Sequence, residues 1–312
     1  MTTQTPSPSP TSIPVTQTWI WQGFPITYQA IGSTGPAVVM VHGFGASLGH
    51  WRKNLPVLGT TCQAYAIDLL GFGGSAKPSP GPSLIPGQQA NYTIETWAQQ
   101  VADFCREVVG QPVLLIGNSI GCIVSMQTAI DFPETVLGVA LLNCSLRLLH
   151  DHHRASQPWY KQIGVPLLQQ LLQVRWIGRA FFHQIAQRNT VRKILLQAYK
   201  RPEAVTDELL DLLLEPASQP GSADVFIAFT AYSQGPLPEE QLQHLPCPAI
   251  ILWGEADPWE PITLGEKLAD YPSVQQFIRL PNVGHCPQDE APELVNPILQ
   301  QWIHEQISKL ER

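Results

Sequence analysis

The chain has 312 residues, 44% of them hydrophobic and 14% charged, enough for one large core with an insertion but not for two independent enzymes. Its formal net charge of −7 argues against a nucleic-acid partner. The six scattered cysteines, with no CxxC pair, read as reduced thiols of a cytoplasm-like compartment, and no apolar run reaches the ~18 residues of a membrane span.

Residues 1–17 are rich in Thr, Ser and Pro and lack the basic start and apolar stretch of a secretory signal, so a disordered tail is expected there. From Trp19 to Ile31 the alternation around Gly23-Phe24-Pro25 predicts a β-hairpin. The apolar run Ala37 to Val41 follows and ends in His42-Gly43-Phe44-Gly45. A glycine-flanked turn at the end of a buried strand leaves N–H groups free to point into a crevice, as the oxyanion of acyl transfer requires. The Phe44 N–H is one predicted donor, with Gly43 and Gly45 giving the loop its freedom, while His42 reads as a structural histidine. After the run Ala64 to Ile67, the segment Gly71-Phe72-Gly73-Gly74 lacks the Lys-Ser/Thr of a phosphate loop and reads as a flexible turn near the pocket.

A helix is expected over Ile94 to Val109 with Thr93 as N-cap, then a buried strand over Val113 to Ile116. Gly117-Asn118-Ser119-Ile120-Gly121 comes next and opens a helix to Phe132. This is the strand, sharp turn and helix of a GxSxG nucleophile elbow, with Gly117 and Gly121 permitting close backbone contact. Ser119 is the predicted nucleophile and the Ile120 N–H the second oxyanion donor. A strand at Val136 to Leu142 ends at Asn143, where an amide cannot replace the carboxylate that would stabilise an imidazolium. Short buried runs alternating with amphipathic helices predict a parallel sheet covered on both faces.

That rhythm then stops for a helical insertion, expected over residues 146–235, which divides the core into 18–145 and 236–312. The cluster His150-Asp151-His152-His153 at its start reads as surface residues of a linker, because adjacent histidines rarely reach one metal centre. No metal and no organic cofactor is called for. Leu167, Leu168, Leu171, Leu172 and Ile185 recur at helical spacing near Trp159, Trp176, Phe181 and Phe182, which reads chiefly as core between insertion and sheet. Arg154, Lys161, Arg175, Arg179, Arg188, Arg192, Lys193, Lys200 and Arg201 fall in a stretch without acids, half of the chain's 18 basic residues. Two expectations compete for them. Either they dock the protein on an anionic membrane surface, or they are neutralised by the acidic run Glu203, Asp207, Glu208, Asp211 and Glu215 and by the core.

The core rhythm resumes with a strand at Ala249 to Trp253, a helix near Thr263 to Asp270, a strand at Val274 to Leu280 and a last helix from Pro292 to about Ser308. Asp257, in the turn after the first of these strands, is the predicted acid, and His285, in a Gly-flanked loop after the second, is the predicted base. Glu255 and Asp289 are the fallback acids, with Asp289 expected to cap a helix N-terminus. Ser119 would attack a carbonyl, pass its proton to His285 and form an acyl-enzyme that water then releases.

HGFG at 42–45, Asp68 to Ser75, GNSIG at 117–121, Asp257-Pro258 and Gly284-His285 together resemble the capped α/β-hydrolases, over about Trp19 to Trp302. The resemblance implies the α/β-hydrolase fold: a mostly parallel eight-stranded sheet, helices on both faces and a helical cap. Dehalogenases and epoxide hydrolases of that group carry Asp where this chain has Ser119, so their alkyl-enzyme chemistry is disfavoured. Gly117-Asn118-Ser119, Asp257-Pro258-Trp259 and the run from Gly284 to Glu293 are similar to the pheophytinase and chlorophyll dephytylase branch of photosynthetic organisms. One departure is Cys122, where many relatives continue with a second glycine. The narrower resemblance implies an apolar ester substrate, chlorophyll or pheophytin, with phytol as leaving alcohol and a place at the thylakoid membrane surface. A carbon–carbon bond hydrolase, a generic esterase on smaller substrates and a catalytically silent receptor are the alternatives.

Overall fold

Gln22 and Gly23 both adopt positive φ, 49° and 77°. Such a turn matches the twist of a tight hairpin, so Val15–Trp21 (β1) folds back on Phe24–Ile31 (β2) with Trp21 opposite Phe24. In this computed structural model, residues 14–310 are described except 149, 155–163, 165, 166 and 168. β1 thus begins inside the stretch expected to be a disordered tail, because Val15, Thr16 and Gln17 find pairing partners in β2.

Apart from a short parallel pair, Ser79–Pro80 with Gln89–Ala90, the other strands are Ala37–Val41 (β3), Gln63–Ile67 (β4), Val113–Asn118 (β5), Val136–Leu142 (β6), Ala249–Gly254 (β7) and Val274–Leu280 (β8). They form one eight-stranded sheet in the order β1-β2-β4-β3-β5-β6-β7-β8, antiparallel at β1 to β4 by way of β2 and parallel elsewhere. Alternation within each strand divides the core. Val39, Val41, Leu115, Leu141 and Ile251 face Ile94–Phe104 (α1) and Ile120–Asp131 (α2). Val38, Met40, Leu114, Ile116 and Ile250 face the other way, toward Leu55, Leu58 and Leu299 and Trp302 of the last helix. The Thr93 hydroxyl caps α1 by accepting the Thr96 N–H at 3.3 Å. The expected helix reaches Val109 only through a π-helical turn, Cys105–Val109, closed by Gly110 at φ 75°.

The segment between β6 and β7 contains Arg175–Ile185 (α3), Arg188–Ala198 (α4), Asp207–Ala217 (α5) and Ser222–Ala231 (α6). Its two ends are tied together: the Arg147 guanidinium donates to the Gln234 and Pro236 carbonyls at 2.6 and 2.9 Å, and His150 meets the Gly235 carbonyl at 3.0 Å. The expected helical spacing is present, but the reading of its apolar residues as core is corrected. Leu172 and Phe182 are buried, whereas Leu167 is 64% exposed, Leu171 47% and Trp176 74%. Trp159 and Leu168 lie outside the described residues. After β8 the chain forms a short helix, Pro287–Glu290, and the long helix Pro292–Leu310 (α7).

Candidate active site

Ser119 sits between β5 and α2 at φ 55° and ψ −119°, a conformation rarely adopted by a residue with a side chain. Its N–H donates to the Leu142 carbonyl at 3.1 Å, which anchors the turn to β6. The flanking glycines are demanded by contact. A Cβ on Gly117 would stand 2.5 Å from the Gly121 carbonyl carbon, and one on Gly121 would stand 2.2 Å from the Val41 carbonyl oxygen.

The turn at the end of β3 lies directly against this elbow. A Cβ on Gly43 would come within 3.2 Å of the Ser119 Cβ, and Gly45 has φ +70°. His42 is fully buried, its Nδ1 2.7 Å from the Gly43 carbonyl and its Nε2 accepting the Leu69 N–H at 3.1 Å. Burial lowers its pKa to about 4, so it is a neutral strut for the loop. Phe44 lines the cavity above Ser119, and Ile120 opens α2, where the first N–H groups of a helix have no intrahelical acceptor. Among the described residues neither the Phe44 nor the Ile120 N–H meets a backbone acceptor.

Asp257 follows β7, and His285 lies in the loop after β8. The His285 Nδ1 is 2.7 Å from Asp257 Oδ2, with both residues buried. The carboxylate is saturated: Oδ2 also accepts from Asn143 Nδ2 at 2.7 Å, and Oδ1 accepts the Trp259 and Glu260 N–H groups at 2.9 and 3.1 Å. Burial alone would raise the Asp257 pKa, but the bonds from His285, Asn143 and Glu260 outweigh it and hold the pKa below the usual carboxylate value. Asn143, the residue at the position rejected for an acid, is therefore a donor to the acid itself, and its Oδ1 accepts the Gly254 N–H at 3.0 Å. The sequence carried one signal for it, an Asn at the C-terminal end of a central strand.

The His285 loop is braced from several sides. Its N–H donates to the Ala198 carbonyl at 2.8 Å, its carbonyl accepts from Asn118 Nδ2 at 3.2 Å, and Trp259 lies with its ring 4.9 Å from the imidazole. Ser119 and His285 line the same cavity, without a hydrogen bond between them among the described residues. Catalytic contacts of this kind often close only around substrate.

The fallback acids are elsewhere. Glu255 is exposed, and Asp289 is fully buried, taking the Tyr199 hydroxyl at 2.9 Å and lying 2.7 Å from Arg52 and 3.1 Å from Lys53. Asp289 thus stands in the first turn of the short helix Pro287–Glu290, but its side chain pairs with Arg52 and Lys53 and, among the described residues, makes no capping bond. Glu260 was not anticipated. It is buried in the cavity wall, accepts the Ser145 hydroxyl at 3.1 Å and has its pKa raised by burial to about 7.

The cavity measures about 390 Å³. Phe182, Ile185, Leu195, Leu213 and Phe226 from the insertion form its apolar side, and Ser119, His285, Glu260, His50 and Asn118 are its polar groups. The turn at 71–74 borders a smaller chamber next to it and is hydrogen-bonded in place: Asp68 accepts the Gly74 N–H at 2.8 Å and the Leu48 N–H at 2.7 Å, and the Gly71 N–H donates to the Ala76 carbonyl. On the insertion, Arg175 and Arg179 pair with Asp224, Arg188 with Asp207 and Asp211, Arg192 with Asp207, and Arg201 with Glu293. Arg188 and Arg192 thus meet the expected acidic run and Arg201 meets the core, whereas Asp224, the partner of Arg175 and Arg179, lies in the insertion outside that run. Lys161 lies outside the described residues.

A sequence profile of the alpha/beta hydrolase family matches residues 38–298. The chain is 27% identical over 296 residues to a chloroplastic pheophytinase of Arabidopsis thaliana, covering 86% of this chain and 61% of that protein. It is also 27% identical over 267 residues to the uncharacterized hydrolase YugF of Bacillus subtilis strain 168, covering 85% and 89%. Among solved structures, the CarC serine hydrolase involved in carbazole degradation superposes with a TM-score of 0.71 at 18% identity, covering 94% of this chain and 99% of that one.

Proposed function

The chain belongs to the alpha/beta hydrolase family, and from that premise we propose that it is a serine carboxylic ester hydrolase with Ser119 as nucleophile, His285 as base and Asp257 as the orienting acid. The observation that carries this reading is the buried 2.7 Å bond from His285 to an already saturated Asp257, in one apolar cavity with a strained Ser119. Ser119 Oγ attacks the ester carbonyl while its proton passes to His285, and the carboxylate of Asp257 stabilises the imidazolium. The N–H groups of Phe44 and Ile120 receive the oxyanion. Collapse breaks the bond to the alkoxide, which takes the proton from His285. Water, deprotonated by the same histidine, then releases the acid. We read the insertion, residues 146–235, as a cap over this reaction.

The preferred substrate in this reading is a large apolar ester. Its phytyl-ester version draws support from the 27% identity to a pheophytinase and from the apolar cap wall. A cavity of about 390 Å³ is at the lower end of the range for ligand sites, so a pigment ester would enter by one limb, with the tetrapyrrole outside. The same wall disfavours the polar diketone of a carbon–carbon bond hydrolase. Fluorophosphonate labelling at Ser119, followed by turnover of nitrophenyl esters beside chlorophyll a and pheophytin a, tests both levels. An unlabelled Ser119 would refute the serine mechanism. Small esters turned over with pigment untouched would leave a generic esterase.

We also infer peripheral contact with a lipid surface, resting on apolar side chains. Trp176, Leu167, Leu171 and Val174 are all exposed on the insertion, and its arginines, part-exposed in ion pairs with Asp207, Asp211 and Asp224, are less available to an anionic bilayer than unpaired cations would be. No helix among the described residues is long and apolar enough to cross a membrane.

A further inference from the structure

The main cavity has a neighbour on the side of Phe44. A second chamber of about 90 Å³ shares Phe44, Gly45, Phe182, Leu213, Ala217 and Phe226 with it. The collar between the two is aromatic: Phe226 lies with its ring 5.6 Å from that of Phe44 and 5.3 Å from that of Phe182. Beyond the collar the chamber runs between the turn Gly71-Phe72-Gly73 and the helices α5 and α6, reaching Lys77, Pro216 and Ser222.

The polar groups of this chamber are already satisfied within the protein. Lys77 Nζ donates to the Gly73 carbonyl at 2.7 Å, the Ser75 carbonyl at 3.2 Å and Gln219 Oε1 at 2.7 Å, which uses all three of its N–H donors. The Ser222 hydroxyl donates to the Pro216 carbonyl at 2.7 Å. What remains for a ligand is apolar surface, set apart from the Ser119 cavity by the side chains that the two share.

We propose that this chamber is a subsite for the end of a long alkyl chain of the ester, threaded past the collar of Phe44, Phe182 and Phe226, and that its wall sets the preferred chain length. The proposal rests on the ester-hydrolase reading for its chemistry. The chain can belong to the acyl or to the alkoxyl side, since both radiate from a carbonyl held next to Phe44. A chamber of about 90 Å³ holds about three groups of the ~30 Å³ that a water occupies, hence about three methylenes. Each buried methylene strengthens binding about fourfold.

The test is the dependence of kcat/KM on chain length, measured for p-nitrophenyl acyl esters from acetate to palmitate and for alkyl acetates of matching lengths. One of the two series is expected to climb, and that series identifies the limb. In Ser222→Leu, which fills the chamber from α6, the climb stops about three methylenes earlier and the long-to-short ratio falls about 60-fold. Ala217→Phe fills it from α5 and gives the same truncation should the first variant fold poorly. A separate readout uses no chemistry: linear 1-alkanols should raise the melting temperature of the parent increasingly with length, and less so in both variants. An alkanol profile without ester turnover would sink the hydrolase reading and leave the subsite standing. Identical profiles in parent and variants, in turnover and in melting, would overturn the subsite.

Discussion

Replacing Glu260 by Gln removes a carboxyl group whose ionised form the fold disfavours. The side chain is 9% exposed, Oε1 accepts the Ser145 hydroxyl at 3.1 Å, and Oε2 is buried without a partner among the described residues. Burial raises its pKa, opposed by His285 and assisted by the charge of Asp257, from 4.5 to about 7. The native state therefore binds the proton more tightly than the unfolded chain does. The associated stability is complete below about 4.5, is lost as pH rises through about 7, and is constant beyond. A gap of about 2.5 pH units, at 1.36 kcal/mol each, makes the loss about 3 kcal/mol, a large part of a typical domain's stability. Gln cannot ionise and keeps an acceptor for Ser145. Urea denaturation of parent and Glu260→Gln across this pH range should show the two alike at the acid end. Above neutrality the variant should be the more stable by up to about 3 kcal/mol. A difference that stays constant with pH would mean that Glu260 titrates as it does in the unfolded chain, and the reasoning from its burial would be wrong.

Asp257→Asn should lower kcat by roughly 10⁴ with the fold intact, because the amide permits the wrong imidazole tautomer. Asp289→Asn should do the reverse, sparing the chemistry but lowering the melting temperature through a loss of up to about 3 kcal/mol, since it unpairs a buried charge cluster. Equal effects of the two on turnover would undo the assignment of the acid. Asn143→Ala should cost about 1–3 kcal/mol of stability by stranding the Gly254 N–H, together with a fall in kcat as Asp257 loses a donor. Trp176→Ser should weaken co-sedimentation with lipid vesicles, and binding of the parent should change little with salt; strong salt dependence would restore the electrostatic docking of the cap's cations.

Features that depend on neighbours along the chain were readable in advance. Buried runs such as Val113 to Ile116, the glycine-flanked Ser119 and the Thr93 cap each carry their cause within a few residues. What could not be read was set by partners distant in sequence. Arg179 meets Asp224 and Arg188 meets Asp211 only once α3 to α6 have packed, so the basic stretch looked unopposed. Asp289 looked like a cap until Arg52, Lys53 and Tyr199 closed around it. An amide at Asn143 excludes an acid from the sequence alone, but its bond to Asp257 depends on another strand end. Helical periodicity in Leu167 and Leu171 was real, but periodicity names a face without saying what covers it.

The bond from the His285 N–H to the Ala198 carbonyl joins the base's loop to the insertion itself. Glu290 doubles the tie, its two carboxyl oxygens taking the Gly284 and Arg201 N–H groups, each at 2.7 Å. The limb of the insertion around Ala198 to Arg201 thus serves as a splint for His285, and an insertion swung away as one piece would break the bonds that seat this histidine. An exchange of the insertion for a foreign one is therefore expected to leave the His285 loop in place only where it stops short of Ala198.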